Sequence, residues 1–224
     1  MKRVILAVLF VLIAAAVIAG ALVFINKLVN VPESEILNSE LIFEAKDVSG
    51  ITVDISAGYV DVYTLSGDSI VVSFAEPKSG TYRASAENGT LTVKETTSSI
   101  FDALSRGDSG RYGVRIGIPE GLSVSCNVNA GIGDVSIEGI TAPAVSIDID
   151  TGSLFIVALH TDDLKVNVDI GDVIASLPEV RDDYFVSVNT EIGGTSAVSG
   201  GDENAPHRVD INVNIGDVTL SYKG

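Results

Sequence analysis

The chain has 224 residues, 46% hydrophobic and 6% aromatic, with 14 Lys/Arg against 30 Asp/Glu for a net charge of −16. Such a field repels phosphate backbones and anionic lipid surfaces and attracts cations, which excludes nucleic acid as a partner. One cysteine, Cys126, excludes an internal disulfide, so stability has to come from burial and backbone pairing.

Lys2 and Arg3 precede an uncharged apolar run from Val4 to Ile25, 22 residues, which matches the ~20 that cross ~30 Å of hydrocarbon as a helix. Residues 1–27 are therefore expected to be a transmembrane anchor, with the membrane contacted through residues 4–25. The rival is a cleaved signal peptide ending near Ala19-Gly20-Ala21, but the run exceeds the usual apolar core of such peptides. Positive charge before the span puts the N-terminus in the cytoplasm and the rest outside, a single-pass protein of the cell membrane. Residues 28–224 hold 11 Lys/Arg and all 30 Asp/Glu, a balance of −19.

Residues 28–46, with Pro32 and scattered acids, read as a juxtamembrane linker ending in a short strand at Leu41 to Phe43. From residue 47 to 224 nearly every segment alternates polar and aliphatic residues, the period-two pattern of strands with one buried face. Cys126 shares its strand face with Val124 and Val128, which places it in the core as a small hydrophobe. Asn88-Gly89 between alternating runs marks a hairpin with a type I′ turn, and Asn88-Gly89-Thr90 is also a glycosylation sequon. Thr96 to Tyr112, rich in Ser, Gly and Asp, reads as an exposed excursion.

Six copies of one pattern, alternation running into a glycine and resuming, centre on Gly58, Gly133, Gly152, Gly171, Gly193 and Gly216. The last five are 19, 19, 22 and 23 residues apart, a period that signals stacked units. Each copy has too little apolar surface to fold alone, and each glycine supplies backbone freedom at a bend. The expected fold is all-β: an extracytoplasmic β-solenoid, like a single-stranded β-helix, with coils ~4.8 Å apart. An antiparallel β-sandwich with two strands per unit is the alternative.

The run Val-x-Gly-Ile-x-Val at Val48 to Val53, the Ile-Gly-Asp-Val blocks at Ile132, Ile170 and Ile215, and one N-terminal span resemble the adhesin-like β-strand-repeat family of bacteria and archaea. The resemblance covers about residues 40 to 223. It implies a membrane-anchored envelope protein of unknown function, often encoded with envelope-stress genes, and it supplies no catalytic residues.

Motifs that could carry chemistry lack their settings. Gly67-Asp68-Ser69-Ile70 and Gly107-Asp108-Ser109-Gly110 match lipase-type and protease-type serine blocks. A serine nucleophile needs a positioned histidine, and the two histidines, His160 and His207, have no such relation to either serine. They stand 47 residues apart with no zinc spacing and read as exposed loop residues. Arg106-Gly107-Asp108 is the integrin-type tripeptide in a loop whose composition favours it by chance. In-register stacking would place Asp134, Ser153, Asp172 and Asp217 in one column and Asn129, Asp150, Asp169 and Asn214 in another. Asp134, Asp172 and Asp217 are thus a candidate calcium column; no other cofactor is expected. Tyr59, Tyr63, Tyr82, Tyr112 and Tyr184 are candidates for stacking on sugars. The sequence therefore points to a non-enzymatic surface protein with an adhesive or structural role, contacting an envelope protein or a wall polymer. A carbohydrate-binding module and an envelope-stress sensor acting through a membrane partner are the alternatives.

Overall fold

A computed structural model describes residues 36–76, 80–96 and 111–222. The predicted membrane span, the serine block at 107–110 and the tripeptide at 106–108 lie outside the described residues. Among those described, no helix is long and apolar enough to cross a membrane.

Strands carry almost all of the described chain: β1 (Leu37–Glu44), β2 (Gly50–Ala57), β3 (Tyr59–Leu65), β4 (Ser69–Glu76), β5 (Tyr82–Glu87), β6 (Thr90–Glu95), β7 (Gly113–Pro119) and β8 (Ser125–Ile132). They continue with β9 (Val135–Glu138), β10 (Thr141–Thr151), β11 (Leu154–Val157), β12 (His160–Ile170), β13 (Val173–Leu177), β14 (Tyr184–Ile192), β15 (His207–Ile215) and β16 (Val218–Tyr222). Two eight-stranded sheets result: sheet I, ordered β1-β4-β7-β3-β9-β11-β13-β16, and sheet II, ordered β14-β15-β12-β10-β8-β2-β6-β5. A coil is one strand of sheet II, a glycine bend and one strand of sheet I, as in β2–Gly58–β3 and β12–Gly171–β13.

Coils stack in parallel and in register, so the inward residues form aliphatic ladders. In sheet II one ladder is Leu91, Ile51, Cys126, Val145, Leu164, Val209 and Val186. In sheet I another is Val60, Val135, Leu154, Val173 and Val218. All are buried in one continuous core, and β-branched side chains suit this pleated packing.

The glycines form a column. At Gly133, Gly152, Gly171, Gly216 and Gly193 φ lies between +146° and +149°, and an added β-carbon would collide with a carbonyl oxygen of the adjacent coil's glycine. Backbone bonds run along the same edge, from the amides of Gly133, Gly152, Gly171 and Gly216 to Thr151, Ile170, Ile215 and Ile192 carbonyls, each 2.9 Å. A side chain is thus excluded twice, by the left-handed conformation and by the neighbouring backbone.

Two expectations need correction. The architecture is solenoid-like but not a single-stranded helix of sequential coils: it is two mixed sheets face to face, with antiparallel pairs β1–β4, β4–β7 and β5–β6 closing one end. Coil order also departs from chain order, because β15 lies between β12 and β14, so Gly216 sits between Gly171 and Gly193. Between β14 and β15 the chain builds no full strand in sheet I. Residues 195–201 instead turn back over the stack end, where Gly200 exchanges two backbone bonds with Val186 and Arg181 donates to the Val198 and Gly200 carbonyls. These devices blunt edges that would otherwise pair with another chain. The hairpin at Asn88-Gly89 has φ of 51° and 80°, as a type I′ turn requires. β1, which contains the expected strand at Leu41 to Phe43, pairs along its whole length with β4.

Replacing Gly171 by Ala should lower the thermal midpoint by on the order of 10 °C, because a strained φ and a backbone clash coincide. Gly50, whose added β-carbon would meet nothing nearer than 3.9 Å, is the control: Gly50→Ala should leave the midpoint within about 2 °C. Both are read from melts followed by circular dichroism.

Candidate functional site

The residue after each bend glycine has a structural task. The Asp134 carboxylate accepts the Ser153 amide at 2.8 Å, the Ser153 hydroxyl accepts the Asp172 amide at 3.4 Å, Asp172 accepts the Asp217 amide at 2.8 Å, and Asp217 accepts the Gly194 amide at 2.6 Å. Asp134, Asp172 and Asp217 therefore do share a column, and each commits an oxygen to an amide of the next coil. Among the described residues no group of three His, Cys, Asp or Glu could hold a metal ion.

The second column is offset from its expected composition. Asn129 pairs with Asp148, which pairs with Asn167 and then Asn212, while Asn214 donates to Asp169 at 2.9 Å. Along the first row Asn212 donates to Asn167 at 3.4 Å and Asn167 to Asp148 at 2.6 Å. Amides placed between carboxylates thus relieve the repulsion that stacked charges would feel. The outer face of sheet II is polar throughout its centre, as in the row Thr92, Thr52, Asn127, Ser146, Lys165, Asp210.

The histidines are not loop residues. Both begin strands, and both meet one cluster at the far end of the stack. His160 Nδ1 lies 2.7 Å from a Glu179 carboxylate oxygen, the Tyr184 hydroxyl donates to the other, and the His207 ring centre is 5.2 Å from that of Tyr184. Burial opposes ionisation of Glu179, but the bonds from Tyr184 and His160 and the His160 charge outweigh it, so its carboxyl titrates below the ordinary range. Burial, then the Glu179 bond and charge, push the Tyr184 hydroxyl up. No serine enters this cluster. Ser69 opens β4 after the turn at Gly67, and burial pushes the Cys126 thiol up to about 12, which leaves it no nucleophilic character near neutrality.

The five tyrosines separate cleanly. Tyr82, Tyr112 and Tyr184 are buried at 3%, 6% and 1% exposure; the Tyr82 hydroxyl donates to the Ala57 carbonyl, where the sheet II ladder ends. Tyr59 and Tyr63 point outward on β3, beside β7, in the register Tyr59–Gly113, Asp61–Arg115 and Tyr63–Gly117. Tyr59 lies against Gly113, where an added β-carbon would be 2.7 Å from its Cγ, whereas Gly117 is covered by the Leu65 side chain, with the Tyr63 hydroxyl 3.2 Å from the position of an added β-carbon. Arg115 stands between them, its Nε donating to Asp61 at 2.9 Å and its guanidinium 4.9 Å from the Tyr63 ring centre. A depression of about 360 Å³ opens on one side, against Asn38, Glu40, Ser73 and Phe74. Another of about 310 Å³ opens on the other, against Thr64, Glu138 and Gly139. Sequence reading found the two tyrosines but missed Arg115 and Asp61, since 54 residues separate the paired positions. Further along the same face Phe155, Val157 and Ile174 are 39%, 50% and 47% exposed, with Phe155 directly opposite Ile174.

Because each of these aspartates has one oxygen committed to an amide of the next coil, adding EDTA or millimolar calcium should leave the melting midpoint unchanged; a calcium-dependent rise would restore the metal column. For Glu179, whose folded pKa is depressed, the stabilisation is present above its unfolded value of ~4.3 and is lost as pH falls through the folded one. Stability of Glu179→Gln should therefore fall less steeply than that of the parent between about pH 5 and pH 3 in urea titrations.

The model of the Toastrack DUF4097 family matches residues 32–222. No curated protein sequence matches the chain. Among solved structures, a "putative cell adhesion protein" from Clostridium sporogenes ATCC 15579 superposes with a TM-score of 0.60 at 12% identity, covering 84% of this chain and 100% of that one. A "putative adhesin" from Bacteroides fragilis NCTC 9343 gives 0.35 at 9% identity, covering 86% and 99%. The first supports the fold, and the family match spans the whole described stack: the chain belongs to the Toastrack DUF4097 family.

Proposed function

We propose that the protein is a non-enzymatic, membrane-anchored surface protein of the cell envelope that makes adhesive contacts through the outer face of sheet I. The observation that carries this reading is the aromatic and apolar character of the sheet I exterior beside the polar rows at the centre of sheet II, whose own exposed apolar residues, Ile170, Ile215 and Ile192, are confined to the positions just before the bend glycines. The centre of sheet II shows Asn, Asp, Ser, Thr and Lys, much of it hydrogen-bonded along the stack. Sheet I exposes Phe155, Val157 and Ile174 on the same face as the Tyr59–Arg115–Tyr63 group, separated from it by β9. Aromatic residues and arginine are the side chains most enriched at contact surfaces, and clustered exposed apolar residues mark interaction sites. The apolar run at residues 4–25 supports anchoring, and the balance of −19 beyond it keeps a flat, strand-rich surface soluble.

Two measurements test it. A C-terminal epitope on the full-length chain should be labelled on intact cells stripped of any outer layer; labelling only after lysis overturns the topology. Cells displaying the chain should retain purified envelope fragments, and Phe155→Glu combined with Ile174→Glu should remove that retention without changing the melting midpoint by more than a few degrees. Equal retention by the double variant overturns the assignment of the face.

A further inference from the structure

We propose that the Tyr59–Arg115–Tyr63 group on sheet I is a binding site for a neutral saccharide chain of flat pyranose units, one unit in each of the two depressions and Arg115 shared between them. This rests on the adhesive reading of the same face and names its ligand.

The local architecture is unusual for a sheet exterior. Outward positions on β7 read Gly113, Arg115, Gly117 and those on β3 read Tyr59, Asp61, Tyr63, in direct register. The glycines leave room beside the aromatic residues: Tyr59 approaches the β7 backbone at Gly113, while at Gly117 the Leu65 side chain covers the backbone and the Tyr63 hydroxyl reaches its rim. The CH-rich side of a pyranose ring is apolar and flat, and its rim carries hydroxyls. A site for it therefore needs an aromatic platform with donors and acceptors around it, as small-ligand sites generally combine apolar walls with a few placed polar groups.

Those groups are present on both sides. Arg115 is half exposed, and its bond to Asp61 uses Nε, so that bond does not engage its terminal nitrogens. Asp61, Glu40 and Glu138 line the depressions as acceptors, and Asn38, Ser73 and Thr64 add neutral polar groups. At about 360 and 310 Å³ each depression reaches the ~300 Å³ lower end of small-molecule clefts. All these residues except Asn38 and Glu40, on the edge strand β1, and Gly139 stand on interior strands, so little ordering is needed on binding.

Charge selects the class of ligand. One guanidinium faces three carboxylates and is already neutralised by one of them, so an anionic sugar or a phosphate meets a net negative surface within an acidic domain. A neutral polyol meets no such penalty and can use every donor and acceptor. A basic peptide would also be attracted, but by a salt-screened force that does not need the rings.

The test uses the full chain in lipid nanodiscs, free of glycoside detergent, with cellotetraose and chitotetraose as probes and tetralysine as the charged control. Saturation-transfer NMR should place at least one oligosaccharide against the protein through its ring protons, with an affinity insensitive to 0.5 M salt. Tyr63→Ala and Arg115→Met should each weaken binding roughly tenfold or more. Tyr63→Phe, which keeps the ring, should stay within about threefold, and Asn127→Ala on the opposite face should change nothing. Melting curves accompany every variant; should Tyr63→Ala unfold, Arg115→Met with Glu138→Gln carries the test. Binding of neither sugar, sugar binding indifferent to Tyr63 and Arg115, or binding of tetralysine alone that vanishes in salt would each overturn the assignment. Any of these can occur while the chain remains surface-labelled and retains envelope fragments, so the adhesive reading stands or falls separately.

Discussion

The structure depends on how closely successive coils approach at the bend. Each bend glycine leaves its neighbour's carbonyl in the space a β-carbon would fill, and its amide bonds to the coil beyond. Given that approach, the two sheets come into register on both sides of the bend. The aliphatic ladders then meet like with like, and the aspartate after the glycine reaches the next coil's amide. Backbone pairing, apolar burial and side-chain capping all follow from one close contact repeated along an edge. The arrangement also explains a core with no disulfide and only the buried thiol of Cys126: a stacked sheet satisfies its backbone between coils and buries every second residue.

A frame of this kind separates structure from surface chemistry. Inward positions are confined to Val, Ile, Leu and their like, whereas outward positions can vary with little effect on the ladder. The two exteriors have diverged accordingly. Sheet II carries polar rows whose amides and carboxylates bond along the stack, with exposed Ile170, Ile215 and Ile192 only beside the bend, and sheet I carries aromatic, aliphatic and paired charged groups. The ends follow another logic. One is closed by antiparallel strands, and the other by a returning segment pinned by Arg181, with the Glu179, Tyr184 and His160 cluster packed beneath.

Much of the frame was legible from local pattern. Period-two alternation located the strands, Asn88-Gly89 located its turn, and the recurrence of Gly-Asp located the bend column, because each signal depends on residues adjacent in sequence. Asn129 was assigned one step out of register because the expected column was built on similar residue types and not on distance from the glycine. Four residues before Gly133, Gly152, Gly171 and Gly216 stand Asn129, Asp148, Asn167 and Asn212, and that is the observed row.

The sequence by itself determined the strands, the faces they bury and the bends between them, since these follow from steric and hydrophobic preferences acting within a few residues. Only the tertiary structure decided the order in which coils lie. β15 enters between β12 and β14, and β7 lies between β4 and β3, because any coil edge with the same aliphatic ladder can accept any other. Pairing between interchangeable edges is settled by closure of the whole stack and its ends. That closure also brought Arg115 to Asp61 and both histidines to a common cluster.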